Sequence, residues 1–237
     1  MRKENLRRGM GKLLASHQGD LKVSQGVSRP PPSCLERPQG HVTLSYLTFR
    51  QHYRYMTQAQ LELAVEFERN ASIHSVKSQQ ATTELLQKMA RKHGERWYRI
   101  SIDMHSCGFS PEMWRDTEKK IPNTFLSLSS VINGRSSSLR KLIEICGPDR
   151  ILVESDYNRV ECCTEKTVEM VYLVADVKGW AVEKEWVESL SDEERGAVRR
   201  LEDNWKRFRR GRHKVPESKG RRTRKLLETD SEGEPDA

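Results

Sequence analysis

Three side chains that can bind a metal cation stand at the ends of strand-like segments. His74 ends SIH, His105 ends ISIDMH and Asp156 ends ILVESD. The C-terminal ends of parallel strands lie along one side of an α/β sheet, where ligands bind, and imidazole and carboxylate groups suit zinc, manganese or magnesium. We therefore predict that the three side chains surround one divalent cation, which would activate a water and polarise a phosphoryl oxygen. Asp156 would orient that water or accept its proton.

Each residue also has a simpler interpretation. A lone histidine near a strand end is more often a hydrogen-bonded surface residue than a ligand, and the aspartate of ESD is a common turn or helix cap. Cys107, two residues after His105 and expected on the same face, suggests a Cys–His nucleophile, but the sequence offers no group that would activate the thiol. The equivalent placement of three side chains at strand ends favours the metal interpretation.

Four strand–helix units are predicted to position these residues. The alternation of short β-branched segments with longer amphipathic ones predicts an α/β protein with a parallel sheet, either doubly wound or closed as a barrel. Leu201, Trp205 and Phe208, at i, i+4 and i+7, predict a last helix packed on the body of the protein. The predicted strands are 71–76, 99–106, 124–132 and 150–156, and the predicted helices are 58–69, 82–94, 110–120, 136–147 and 164–179.

Charge and composition divide the chain into three parts. The formal charge is +8, yet residues 1–54 hold 10 basic and 3 acidic side chains, and residues 206–237 hold 11 and 6, so the middle of the chain is acidic. This distribution argues against a basic nucleic-acid-binding surface on the folded part. We predict an irregular basic segment over 1–50, a domain over 51–210, and a disordered tail over 211–237 that is basic and then acidic.

Cysteine usage and hydropathy bear on the compartment. The five cysteines form no CxxC pair, and the N-terminus lacks the apolar core of a secretory signal, which predicts reduced thiols in cytosol or nucleus and no zinc site made of cysteines. A stripe of Leu6, Met10, Leu13 and Leu14 among basic residues is also typical of a mitochondrial transit segment, the less favoured alternative. No apolar run is long enough to cross a membrane, so no membrane partner is predicted.

The segments NASIHSVKS, RISIDMHSCGFSPE, TFLSLSSVING and RILVESDYN resemble the later strands of the TatD family of metal-dependent hydrolases. His74 matches the family's strand histidine, His105 the histidine of its HxFSG motif (here HSCGFS) and Asp156 the aspartate of its ETD motif (here ESD). Asn204 with Phe208 is similar to its closing N…F helix. The resemblance covers roughly residues 50–210 and is strongest to a fungal branch named for interaction with an anaphase-promoting-complex subunit.

The resemblance implies a TIM-type (β/α) barrel of the amidohydrolase superfamily, a Zn, Mn or Mg cofactor, and DNA or another phosphodiester as substrate. It also implies an anaphase-promoting-complex subunit as protein partner. The family's early HxH pair and its GExGLD-like glutamate have no counterpart here, since Glu36 stands in CLERP. We therefore expect an incomplete barrel of later strands and helices only, in a truncated chain that lacks three early strands.

Two functions compete on this basis. The first is phosphodiester hydrolysis of the deoxyribonuclease type, impaired or lost in this truncated form because the cation binds weakly or not at all. The second is a catalytically degenerate TatD-like scaffold that acts as a protein-interaction module. Nucleic-acid binding through GRRTRK at 220–225 is a third and weaker interpretation, because such basic clusters more often serve as solvated tails or nuclear import signals.

Overall fold

A computed structural model describes residues 21–25, 42–185, 191 and 194–216. For residues 21–25 and 42–53 the description is of the backbone alone. The predicted C-terminal tail lies outside the described residues except for 211–216, which form neither helix nor strand.

Five parallel strands form one sheet, and their order in space follows their order in the chain. This is the arrangement of a TIM-type barrel, whereas a doubly wound sheet reverses its strand order at a switch point. The predicted α/β class with TIM-type order is therefore confirmed. Within the described residues the first and last strands form the two edges of the sheet, so the barrel is incomplete there. The strands are β1 Leu21–Gln25, β2 Ala71–Ser75, β3 Ile102–His105, β4 Thr124–Ser129 and β5 Ile151–Glu154.

Helices connect successive strands, and their ends follow local sequence. Ser110 accepts a hydrogen bond from the backbone N–H of Met113, and Pro111 occupies the first helical position of α3, where a missing N–H costs nothing. Gly179 ends α6 with φ 67°, a left-handed conformation that favours glycine. The helices are α1 Val42–Glu66, α2 Gln79–His93, α3 Pro111–Lys120, α4 Ser130–Asn133, α5 Leu139–Ile145, α6 Val160–Lys178 and α7 Ala197–Arg210, with a 3₁₀ helix at Gly94–Arg99.

The N-terminal prediction needs correction. Residues 1–50, predicted to be irregular, contain β1 and the start of α1, which begins at Val42 and not near residue 58. One strand thus precedes β2 where none was expected, and it pairs with β2 in parallel. Residues 1–20 and 26–41 lie outside the described residues, and the three-part domain division stays a prediction. The sequence concealed β1 because LKVSQ has little of the β-branched character typical of a buried strand.

The two faces of the sheet differ in chemistry because strand side chains alternate. Apolar side chains on one face, such as Met104 and Leu126, pack with the helices in the main core. The opposite face carries Asp103 and His105 on β3, whose neighbours in the chain, Ile102 and Met104, are fully buried. Polar groups therefore share the face turned away from the helices.

Helix α7 covers the N-terminal ends of the strands. The Phe208 ring lies 5.6 Å from the Phe125 ring, edge to face, and 5.4 Å from the Trp205 ring. The Asn204 amide donates to the carbonyls of Pro148 at 2.8 Å and Ile151 at 2.9 Å, at the start of β5. Leu201, Trp205 and Phe208 are all buried, which confirms the predicted packing of the last helix.

His213 makes folding sensitive to acid at this end of the sheet. Its Nε2 lies 2.7 Å from Ser101 Oγ, and burial, followed by the charges of Arg150 and Arg207, lowers its pKa from 6.5 to about 4. Between these two pKa values the unfolded chain binds a proton at His213 that the folded chain does not. The contribution of neutral His213 to stability is therefore present above pH 6.5 and is lost as pH falls toward 4. Urea unfolding of wild type and His213→Gln across this range should show a shallower acid loss in the variant. Parallel pH profiles for the two proteins would refute this assignment.

Candidate metal centre

The C-terminal ends of β2, β3 and β5 place His105 beside each of the other two predicted ligands. His74 and His105 are register neighbours on adjacent strands, and their ring centroids are 5.5 Å apart. Asp156 follows β5 by two residues, and its Oδ1 lies 3.5 Å from His105 Nε2. We call His74, His105 and Asp156 the rim set. His105 is thus the common neighbour of the other two, and the metal-binding role of the three residues stays a prediction.

The imidazole of His105 lies between two carboxylates. Its Nδ1 is 2.6 Å from Glu154 Oε2, and its Nε2 faces Asp156. Histidines that bind metals commonly donate the N–H of their other ring nitrogen to a carboxylate, which fixes the ring and makes the ligating nitrogen more basic. Glu154 is placed to do this for His105, which would leave Nε2 for a cation at the rim.

Serine hydroxyls hold Glu154 in turn. Ser106 Oγ donates to Glu154 Oε1 at 2.5 Å and lies 2.9 Å from Ser129 Oγ. Ser106 and Asp156 have φ of 43° and 44°, in the left-handed region that non-glycine residues seldom adopt. Such strain persists only where surrounding contacts impose it, and it is concentrated at functional sites.

The electrostatics of the site favour an ion pair when no cation is bound. Burial by itself would lower the pKa of His105, but the hydrogen bond and charge of Glu154, followed by the charges of Asp103 and Asp156, raise it to about 9. Burial of Glu154 acts in the opposite direction to its hydrogen bond with His105, and the net effect lowers the pKa of Glu154. A cation that binds a nitrogen of His105 must displace a proton, so binding should weaken as pH falls.

Glu154 and Asp103 were not among the predicted site residues. The structure places Asp103, His105 and Glu154 so that one ligand atom of each lies within 4.8 Å of the others. Ser72 Oγ donates to Asp103 Oδ2 at 2.7 Å. The sequence could have indicated Asp103, because it precedes His105 by two residues on one strand and therefore lies on the same face. Glu154 stood in the ESD segment, but the sequence does not show that it reaches across β4 to β3.

Cys107 does not fit a nucleophile. It was expected on the same face as His105, but β3 ends at His105 and Cys107 packs in the main core. Burial, followed by the charge of Asp103, raises the pKa of its thiol to about 12, so the reactive thiolate is scarce near neutral pH. The four cysteines among the described residues are free thiols.

Comparison with known proteins establishes the family. The family model described as TatD related DNase matches residues 46–192, more than half of the chain, and the protein therefore belongs to the TatD family. No curated protein matches the chain.

Two solved structures resemble this chain at low sequence identity. The TatD homologue YJJV from Escherichia coli K12 is 12% identical, with a TM-score of 0.51, and the match covers 88% of this chain and 71% of that one. An uncharacterized amidohydrolase from Saccharomyces cerevisiae is 10% identical, with a TM-score of 0.41 and coverage of 68%. This chain spans 55% of the yeast protein's length. The likeness to YJJV supports a TatD-type fold.

Hydropathy adds one further finding: among the described residues, no helix combines the length and apolar character that a membrane crossing requires.

Proposed function

We propose that this protein is a metal-dependent phosphodiester hydrolase of the deoxyribonuclease type that holds a divalent cation at the rim set. The observation that carries this proposal is the position of His105 between Glu154 at 2.6 Å and Asp156 at 3.5 Å, with His74 beside it. Two imidazoles and a carboxylate are a donor set that suits zinc or manganese. The family match supports hydrolase chemistry on this fold.

The residues have separate roles in this mechanism. His74 and His105 would bind the cation, and Glu154 would keep the His105 ring in place through Nδ1. When bound, the cation would supply Lewis-acid activation of water and of the phosphoryl oxygen. Asp156 would accept the proton of the attacking water, whose oxygen joins phosphorus as the P–O bond to the leaving sugar breaks.

Turnover should be slow. The rim set offers three side chains, fewer than a two-metal clamp around both the attacking and leaving oxygens requires. We propose that one cation acts at the rim and that the chain hydrolyses DNA below the rate of an enzyme with the full ligand set.

The proposal is tested by hydrolysis of single- and double-stranded DNA with manganese, magnesium or zinc after chelation. His105→Ala should lower the manganese-dependent rate by roughly a hundredfold or more, because it removes the imidazole that would bind the cation and that Glu154 positions. His93→Ala, at the far end of α2, is the matched control and should keep wild-type activity. Activity that survives both chelation and His105→Ala would reject a metal-dependent reaction at this site.

A second candidate is a protein-interaction scaffold of the same fold, favoured by apolar side chains exposed on α1. Met56 and Leu63 are 45% and 48% exposed, and Phe67, just beyond the helix, is 64% exposed. These residues lie along one side, away from the buried Leu61, and such apolar patches often bind partners. The partner implied by resemblance is an anaphase-promoting-complex subunit. On this alternative a purified subunit binds regardless of metal, and no cation confers hydrolysis.

A further inference from the structure

We propose a second divalent-cation position on the polar face of the sheet, formed by Asp103, His105 and Glu154, which we call the inner set. The inference rests on the proposed function only for the assignment of a cation to this end of the sheet. The inner set shares His105 with the rim set and differs from it in the other two ligands. It places the cation deeper, between β3 and β5. The ligand atoms of the inner set lie within 4.8 Å of one another.

Strand geometry and serine hydroxyls prepare the inner set. Asp103 and His105 share a face of β3 because they are two residues apart. Ser72 Oγ donates to Asp103 at 2.7 Å, and Ser106 Oγ donates to Glu154 at 2.5 Å. Outer hydrogen bonds of this kind orient carboxylate ligands and commonly change metal affinity by about 10- to 100-fold. Both carboxylates are therefore oriented in advance of cation binding.

Burial gives the inner set a stronger need for positive charge than the rim. Asp103 is 7% exposed and the Glu154 side chain 12%, whereas the Asp156 side chain is 27% exposed. Carboxylates brought together away from solvent repel one another and are poorly hydrated. A protonated His105 neutralises one negative charge, while a divalent cation neutralises both carboxylates of the inner set. The buried pair of carboxylates therefore attracts a divalent cation to the inner set.

The two positions compete for one imidazole. The inner set requires His105 Nδ1, the nitrogen that faces Glu154 at 2.6 Å, and the rim set requires Nε2, the nitrogen that faces Asp156. A neutral imidazole has one nitrogen with a free lone pair, so it serves one position at a time.

Calorimetric titration of the chelated full-length chain with Mn²⁺ distinguishes the two positions. Asp103→Asn should weaken Mn²⁺ binding by about tenfold or more, because it removes an inner ligand and keeps the side-chain shape. His74→Ala, which removes a ligand of the rim set alone, should weaken Mn²⁺ binding less than Asp103→Asn does. Asp116→Asn, which removes an exposed carboxylate paired with Lys120, is the matched control. A loss confined to His74→Ala, equal losses in both variants, or no binding by the wild type would overturn the inference.

Nuclear magnetic resonance of the wild type, labelled with ¹⁵N-histidine, gives an answer even where Asp103→Asn fails to fold. On saturation with Cd²⁺ or Zn²⁺, the inference expects the metal-induced shift at His105 Nδ1, and a shift at Nε2 overturns it. Hydrolysis is assayed on the same sample. A metal-induced shift at Nε2 together with intact hydrolysis would refute the inner set and support the proposed function. A shift at Nδ1 without hydrolysis would support the inner set and refute the proposed function.

Discussion

Replacing Asp156 by asparagine should lower metal-dependent DNA hydrolysis by about 10²- to 10⁴-fold, the usual contribution of a positioned proton acceptor. The carboxylate lies 3.5 Å from His105 Nε2, where it can both face a cation and receive a proton from water. Asparagine keeps the size of the side chain but cannot act as a base. It also tolerates the left-handed backbone at this position, where φ is 44°, so the fold should be unchanged.

The measurement is a steady-state rate with saturating manganese, compared with Asp176→Asn. Asp176 pairs with Arg140 on an exposed surface. Its replacement by asparagine removes the same charge from a residue outside the rim set. Unchanged thermal unfolding of both variants would show that any loss is chemical. An Asp156→Asn rate within about twofold of wild type would exclude Asp156 as the proton acceptor.

Phe208→Ala should reduce the free energy of unfolding by about 3–5 kcal/mol, the range for a fully buried phenylalanine. Phe208 is 2% exposed and packs against Phe125 and Trp205. Its backbone carbonyl accepts hydrogen bonds from Ser101 Oγ at 2.7 Å and Asn70 Nδ2 at 2.9 Å. The resulting cavity would thus open where α7 covers the strand starts, and it would loosen contacts to both β2 and β3.

Equilibrium urea unfolding measures this effect. Tyr172→Ala removes a comparable aromatic ring that is 53% exposed on α6, and it should change stability by no more than about 0.5 kcal/mol. A loss below about 1 kcal/mol in Phe208→Ala would mean that α7 is not required to close this end of the sheet.

The periodicity of apolar residues predicted most of the strands and helices, and it failed at β1 and after β3. The strands that carry His74 and His105 could be predicted because alternating β-branched segments recur between amphipathic helices. The early strand β1 was missed because its short polar sequence has no such pattern, and pairing with β2 is what makes it a strand. Cys107 was expected on the same face as His105, but the chain leaves β3 directly after His105.

The sequence by itself determined the alternation of strands and helices, the placement of His74, His105 and Asp156 near the ends of strands, and the apolar face of α7. These features depend on the spacing of residues along the chain. The regular geometry of helices and strands turns that spacing into the face on which a side chain lies and the end at which an element stops. Only the tertiary structure decided that Glu154 forms a hydrogen bond with His105 across β4 and that Asp103 lies beside both. It also decided that Ser106 donates a hydrogen bond to the Glu154 carboxylate. Those contacts depend on sheet register and side-chain reach between residues up to 51 positions apart in the chain, which no local pattern encodes.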